Sequence, residues 1–175
     1  MATGCGVQID GASRAGADAS SSPAVDARSM PTTGGDGGGM TTVLAACMAK
    51  GYSASANLTS VYREGATEKT WLDAEAECAA DVAGATHLVV LSSAAESAFV
   101  KTMRGWVGLS DRATEGTFVN VTAEPNDQRP FLSGQPDNGS GNENCVRMKQ
   151  DGLDDDQCDN THQFVCECDG RAPTP

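Results

Sequence analysis

The sequence predicts an α+β domain held together by disulfide bonds. Two stretches with helical periodicity, near residues 71–82 and 93–104, are followed by several short runs of β type. Helices and strands that are segregated along a chain are typical of α+β domains. The chain also carries seven cysteines, most of them far apart, which indicates an oxidising compartment.

The overall composition limits the classes of protein to which the chain can belong. Its 175 residues suit one domain plus additional sequence, and the formal net charge is -12. Binding to nucleic acid relies on clustered Lys and Arg side chains that neutralise phosphates, so nucleic acid is not a predicted partner. No apolar run approaches the roughly 20 residues that a membrane-spanning helix needs.

A change of composition near Met40 divides the chain. Residues 1–46 are rich in Ala, Gly, Ser and Thr and include a run of glycines. Such a segment buries too little apolar surface to offset its ordering entropy, so we predict a flexible linker there. Residues 47–169 are predicted to fold as the domain, and residues 170–175 to form a C-terminal tail.

The first residues leave two alternatives for Cys5. Residues 2–6 resemble the end of a bacterial lipoprotein signal, where small residues precede a lipidated cysteine. The apolar core of a signal peptide does not stand before them. The resemblance favours a bacterial secreted protein or lipoprotein, with a lipid on Cys5 as the one predicted membrane contact. The alternative is an unpaired thiol on a disordered tail.

Both predicted helices begin at a recognisable N-terminal cap. Thr70 with Asp73 forms such a pattern for the first helix. Ser93 with Glu96 fits a capping box for the second. The buried face of the first helix is marked by four residues at helical spacing: Trp71, Ala74, Cys78 and Val82.

Five short strands are predicted from apolar or alternating runs. A long polar loop that contains three prolines lies between the third and the fourth of them. The predicted strands are residues 87–91, 106–109, 116–121, 145–148 and 163–166.

Carboxylates and amides are concentrated in two loops that each end at a cysteine, residues 135–145 and 153–158. Calcium takes six to eight oxygen ligands, and carboxylate and carboxamide side chains supply them. The sequence therefore predicts a Ca²⁺ site. Its candidate ligands are the anionic Asp137, Glu143, Asp154 and Asp155 and the neutral oxygens of Gln135 and Asn144.

The spacing of the cysteines leaves several arrangements open. Six of them permit 15 pairings, and the sequence alone does not choose among these. A disulfide between Cys145 and Cys158 would pin the two acidic loops together. Reduced thiols are one alternative. A zinc site is another, and its ligands would be Cys158, His162, Cys166 and Cys168. The Cys-x-Cys spacing of the last two is shorter than the two to four intervening residues usual in zinc sites.

The order of these motifs resembles that of the C-type lectin-like domain. Six motifs within residues 47–169 carry the resemblance: the helix that ends at Cys78, Trp106-Val107-Gly108-Leu109, Gln135-Pro136-Asp137, Glu143-Asn144-Cys145, Leu153-Asp154-Asp155 and Phe164-Val165-Cys166-Glu167. The family implies an α+β fold with two helices, short antiparallel sheets and a long calcium- and ligand-binding loop. It also implies a cis peptide bond before Pro136, since cis bonds occur essentially only before proline.

The resemblance also implies which cysteines pair. Two pairs follow from the family's motifs, and the two cysteines that bracket them remain as a third pair that joins the ends of the domain. The expected bridges are Cys78–Cys166, Cys145–Cys158 and Cys47–Cys168.

By the same resemblance, one set of residues binds both the ion and a sugar: Gln135, Asp137, Glu143, Asp154 and Asp155. In the family, Gln-Pro-Asp accompanies a preference for galactose-like diols. Two features depart from the family's pattern. Asp154 stands where Asn is usual, which removes a hydrogen-bond donor. No aromatic residue lies between Asn138 and Asn144 to stack on a sugar ring.

The predicted function is a calcium-dependent carbohydrate-binding module with glycans as partners. We expect it outside the cell, either secreted or on the cell surface. The departures keep a second hypothesis open, a calcium-stabilised adhesion domain that binds a cell-surface protein without sugar. Enzymatic activity is not predicted, because the chain has only two histidines and no Gly-x-Ser-x-Gly elbow.

Overall fold

The computed structural model describes residues 37–55, 57–124 and 128–174. These residues form three α-helices, eight strands and one 3-10 turn, which confirms the predicted α+β class. The helices are α1 (Gly37–Ala49), α2 (Trp71–Asp81) and α3 (Ala94–Met103). The strands are β1 (Ser53–Ala54), β2 (Val61–Glu64), β3 (Thr86–Leu88), β4 (Gly105–Ser110), β5 (Val119–Asn120), β6 (Cys145–Met148), β7 (Leu153–Asp156) and β8 (Val165–Cys168), and the 3-10 turn is Gly139–Gly141.

The predicted N-terminal caps of α2 and α3 are present, but the capping box predicted for α3 forms only in part. The Thr70 hydroxyl accepts a hydrogen bond from the Asp73 N–H at 3.2 Å, and the Ser93 hydroxyl accepts one from the Glu96 N–H at 3.1 Å. Each bond satisfies an N–H that has no partner within its helix. The Glu96 carboxylate does not return a bond to Ser93, as a capping box requires, but accepts the Ser92 N–H at 2.6 Å instead.

Helix α1 corrects the predicted start of the domain. Residues 37–46 were expected to belong to the flexible linker, but they form the first part of this helix. The helix is attached to the domain because Val43 and Leu44 pack against the core and Cys47 is bonded to Cys168. Local composition does not reveal such long-range contacts. Residues 1–36 lie outside the described residues, so the linker there stays a prediction.

Two four-stranded antiparallel sheets carry the rest of the fold. One has the strand order β1-β2-β8-β3, and the other has the order β5-β4-β6-β7. The buried Trp106 and Phe164 lie in the core, Trp106 on β4 and Phe164 just before β8. In the second sheet, Val146 pairs with Asp155 and Arg147 with Asp154. This register decides which carboxylates of β7 face the long loop.

Several strand predictions need correction. Residues 153–156 were predicted to lie in an acidic loop, but they form strand β7 although Asp is depleted in strands. The strand pairs with β6, and its carboxylates bind partners inside the domain. Strands β1 and β2 were not predicted, and the third predicted strand, residues 116–121, is reduced to Val119–Asn120.

The three expected disulfides are present. They are Cys47–Cys168, Cys78–Cys166 and Cys145–Cys158, with Cα–Cα distances of 6.4, 5.3 and 5.1 Å. The alternatives of reduced thiols and of a zinc site are therefore wrong, since the sulfur atoms that would bind zinc are used in the bridges. Cys5 lies outside the described residues. Within the part of the chain that the structure describes, no helix has the length and apolar character needed to cross a membrane.

Candidate functional site

Three carboxylates from two separate segments meet beside strand β7. Asp137 and Glu143 come from the long loop, and Asp155 comes from the middle of β7. One oxygen of each lies within 4.8 Å of an oxygen of the other two. Asp155 is buried at 3% exposure, Glu143 is half-buried and Asp137 is exposed. The structure thus brings together three of the four anionic residues that the sequence singled out.

Backbone hydrogen bonds fasten the long loop to Asp155. The N–H of Asp137 donates to Oδ1 of Asp155 at 3.1 Å, and the N–H of Asn138 donates to Oδ2 at 2.8 Å. Both oxygens of this carboxylate are therefore oriented by the loop. Each carboxylate oxygen can accept more than one bond, so both keep capacity for a further partner.

The Glu143 carboxylate is held from within its own loop. The N–H of Gly139 donates to its Oε2 at 2.7 Å, and the N–H of Glu143 donates to Oδ1 of Asn138 at 3.0 Å. Partial burial and the negative charges of Asp155 and Asp137 raise the pKa of Glu143. A divalent cation among these oxygens would relieve the repulsion between them, so the residues present fit calcium.

Gln135 stands at the start of the same loop. Its side-chain oxygen accepts the N–H of Asp137 at 3.1 Å. The peptide bond between Gln135 and Pro136 is cis, as expected. Asn144, the other neutral candidate, contributes a backbone carbonyl that accepts the N–H of Asp111 at 3.2 Å.

Asp154 is the predicted ligand that the structure does not bring to this cluster. Successive side chains of a strand point to opposite faces, so Asp154 points away from the face that carries Asp155. Its Oδ2 lies 2.9 Å from Nη2 of Arg147 and 3.3 Å from Nζ of Lys149. Its negative charge is therefore already compensated by two cations of the chain.

Asp156 shares the face of Asp154 and was missed by the sequence analysis. Its Oδ2 lies 2.8 Å from Nε2 of His162 and 3.2 Å from Nε of Arg147. Burial alone would raise the pKa of Asp156, but hydrogen bonds from His162 and from the Gln157 N–H hold it below its ordinary value. In a strand, the first and third of three consecutive Asp residues point to the same face. This spacing is the signal that could have placed Asp154 and Asp156 together.

Sequence comparison relates most of this domain to a known family. The sequence model of the "Lectin C-type domain" family matches residues 67–168. The chain belongs to the C-type lectin domain family. The C-type lectins to which the chain is related are a non-enzymatic family, which confirms the prediction that the chain is not an enzyme.

The curated relatives include proteins that are longer than the segment they share with this chain. "C-type lectin domain family 4 member K" of Mus musculus is 34% identical over 112 residues, which are 58% of this chain and 33% of the relative. The "Hemolymph lipopolysaccharide-binding protein" of Periplaneta americana is 33% identical over 136 residues, which are 67% of this chain and 52% of the relative. The chain thus spans a third to about half of the length of these two relatives.

Solved structures confirm the C-type lectin fold. The mouse scavenger receptor C-type lectin carbohydrate-recognition domain has a TM-score of 0.60 and 26% identity, covering 71% of this chain and 97% of that one. A "calcium-independent type II antifreeze protein" also has a TM-score of 0.60, with 23% identity, covering 71% of this chain and 93% of that one. The second likeness shows the fold alone.

The relatives do not support the predicted origin. The two curated relatives named above come from a mammal and an insect. A bacterial source therefore finds no support among them, and neither does a lipid on Cys5.

Proposed function

We propose that this domain binds Ca²⁺ through Gln135, Asp137, Glu143 and Asp155 and recognises a glycan at that ion. The observation that carries the proposal is the convergence of three carboxylate oxygens within 4.8 Å of one another. The proposed ligand set leaves out the Asp154 side chain, because Arg147 and Lys149 already hold it.

The donor set suits a hard divalent ion. Calcium prefers carboxylate and carboxamide oxygens, and the four proposed ligands supply only these. When bound, the ion offers a positive centre to which two adjacent sugar hydroxyls can bind. The protein orients that centre through the loop N–H groups that hold Asp155 and Glu143.

The protein side chains also set which sugar hydroxyls fit. Carboxylates accept hydrogen bonds only, whereas the Gln135 amide can both donate and accept. A diol beside Gln135 and Asp137 therefore meets a donor on one side and an acceptor on the other. By resemblance to the family, this arrangement favours galactose-type sugars. The proposed partners are glycans on a surface or in solution. We place them outside the cell, because disulfides such as the three of this domain persist in oxidising environments.

The name of one relative agrees with a glycan ligand. The cockroach protein is named for binding lipopolysaccharide, which carries saccharide chains. The loop between Asn138 and Asn144 has no aromatic residue that could stack on a sugar. We therefore expect weak binding of single sugars and stronger binding where several domains engage one surface.

Calorimetry with galactose and with mannose, each in calcium and in chelator, tests the proposal. Calcium-dependent heat that is larger with galactose supports it. Asp155→Asn should abolish this heat, whereas Asp151→Asn should leave it unchanged because Asp151 is an exposed carboxylate outside the cluster. Absence of calcium-dependent heat with either sugar would overturn the sugar-binding part of the proposal.

A second candidate function is supported by the way the loop is fastened. Backbone N–H groups of Asp137 and Asn138 fasten the loop to Asp155 directly, by bonds that protein atoms alone provide. The same fold occurs in a protein described as calcium-independent. An adhesion domain that binds a surface protein would use such a loop. Binding of a protein partner that survives chelation, with no heat from sugars, would favour this function.

A further inference from the structure

The backbone of Gly139 lies directly against the Glu143 carboxylate. A Cβ atom at residue 139 would stand 2.6 Å from Oε2 of Glu143 and 2.9 Å from its Cδ. Non-bonded carbon atoms are at their best separation near 3.5–4.0 Å, so these distances are too short for any side chain. The backbone of Gly139 does not lie in the left-handed region, so glycine is not required there for its conformation.

Gly139 also holds the carboxylate from the same side. Its N–H donates to Oε2 of Glu143 at 2.7 Å. The missing side chain lets the carboxylate approach the backbone, and the amide then fixes it. Among the described residues, the hydrogen bond that reaches the carboxylate of Glu143 comes from this amide.

We propose that Gly139 is a positioning residue for the calcium ligand Glu143. This inference rests on the function proposed above, because it assigns Gly139 a role at the same ion. It also explains a property of the ligand site. No side chain, and hence no aromatic ring, can stand at residue 139 while Glu143 keeps its place. The site therefore selects saccharides through hydroxyl groups at the ion and not through stacking on a ring at this position.

The effect on the ion can be separated from an effect on folding. At Gly139 the atom that must move is the far end of a flexible Glu side chain, so Ala displaces the carboxylate and leaves the backbone in place. Gly108 shows the opposite case, since a Cβ there would meet the backbone oxygen of Leu88 at 2.5 Å. We expect Gly139→Ala to fold normally and Gly108→Ala to destabilise the core.

Calcium titration of the full chain provides the test. Gly139→Ala should weaken Ca²⁺ binding about 10- to 100-fold, the range typical for groups that orient metal ligands. Its melting temperature in chelator should match that of the wild type. Gly39→Ala is the matched control, because a Cβ there meets nothing within 4 Å. It should leave calcium affinity unchanged.

A second variant shows whether Gly139 acts through Glu143. In a Glu143→Gln background, adding Gly139→Ala should cause no further loss, since the displaced group is already changed. Hydrogen exchange at the amide of residue 139, measured in chelator, should quicken in both single variants because the bond to Glu143 is lost or weakened. This readout does not depend on the ion.

The outcomes separate the two proposals. If the wild type binds no calcium, the proposed function fails whatever Gly139 does. If the wild type binds calcium and Gly139→Ala binds it as tightly, the inference about Gly139 is overturned. An equal loss in the wild-type and Glu143→Gln backgrounds, or unchanged exchange at residue 139, would overturn it as well.

Discussion

Two clusters of this domain both contain carboxylates, but only one of the two contains a cationic side chain. The buried cluster consists of His87, Glu167 and Asp169, and the loop cluster consists of Asp137, Glu143 and Asp155. In each, the ligand-type atoms lie within 4.8 Å of one another. The first contains its own cation, whereas no ion pair links the second to any cationic side chain among the described residues.

The buried cluster is neutralised by His87. Its Nδ1 lies 2.8 Å from the carbonyl oxygen of Leu88, and its Nε2 lies 3.1 Å from Oδ1 of Asp169. Both neighbours are acceptors, so both ring nitrogens must carry a proton. Burial alone would lower the pKa of His87, but Asp169 and Glu167 raise it to about 9. The imidazolium supplies positive charge inside this cluster, and Arg171 adds a second cation at Asp169.

From this difference we infer that charge balance, more than the number of acids, distinguishes the proposed ion site from the buried cluster. The acids on the other face of β7 support the same view, because Arg147 compensates Asp154 and Asp156. The loop cluster is left with excess negative charge and partial solvent access. The following predictions test this comparison, from the largest expected effect to the smallest.

Removing the internal cation should damage the fold most. His87→Ala removes the imidazolium beside Glu167 and leaves Asp169 paired with Arg171 alone. Breaking a buried pair in this way typically costs about 3–5 kcal/mol. Urea unfolding in chelator measures the loss. His162→Ala, which removes a more exposed ring that pairs with Asp156, serves as the comparison and should cost less. Equal stabilities for the two variants would show that His87 is not the cluster's counter-charge.

Removing an acid from the loop cluster should abolish the response to calcium instead. The wild type should gain about 2.7 kcal/mol of stability at a calcium concentration 100 times Kd, because the ion binds the native state alone. Asp155→Asn should gain none of this. Melting curves in chelator and in calcium provide the measurement. A variant that is stabilised by calcium as much as the wild type would rule out the proposed ligand set.

The buried cluster should make stability in chelator fall as the pH rises. The pKa of His87 is raised from 6.5 to about 9, so its contribution is full below pH 6.5 and is lost as the pH passes 9. Burial and the charge of Glu96 raise the pKa of Glu167 from 4.5 to about 8, so its contribution is full below pH 4.5 and is lost as the pH passes about 8. Together they should remove on the order of 1–3 kcal/mol between pH 6.5 and 9.

The unfolding midpoint in urea at several pH values measures this dependence. His87→Gln should flatten the profile over the upper part of the range, because Gln does not titrate. A wild-type profile that is flat from pH 6.5 to 9 would contradict a protonated His87.

Replacing Asp154, which lies apart from the loop cluster, should change the calcium affinity least. Asp154→Asn should keep calcium affinity within about 2-fold, since substitutions away from a site usually change free energies by less than 0.5 kcal/mol. It should cost some stability, because Arg147 and Lys149 lose a partner. Calcium titration and urea unfolding together check this. A large change in calcium affinity would place Asp154 among the ligands.

The proposed calcium site was predictable from the sequence only as a set of residue types. The sequence analysis identified Asp137, Glu143 and Asp155, because acids and amides were concentrated before two cysteines. It could not separate Asp154 from Asp155, since both are adjacent acids of one stretch. Nor could it find Gly139, whose role depends on the distance between its backbone and a carboxylate four residues further on.

By itself, the sequence determined the features that depend on near neighbours and on recognisable motifs. The caps at Thr70 and Ser93 form because each joins groups three residues apart. The family resemblance, and with it the disulfide pairing, rested on the order of six short motifs. Such signals are contained in the chain before any distant part of it comes together.

Only the tertiary structure decided which way the acids of β7 point. The pairing of β6 with β7 sets the register, and a shift of one residue would exchange the faces of Asp154 and Asp155. Helix α1 likewise belongs to the domain because Val43 and Leu44 pack against the core and Cys47 is bonded to Cys168. These outcomes depend on contacts between residues that are far apart in the chain. A local sequence pattern does not reveal how much such contacts stabilise the fold.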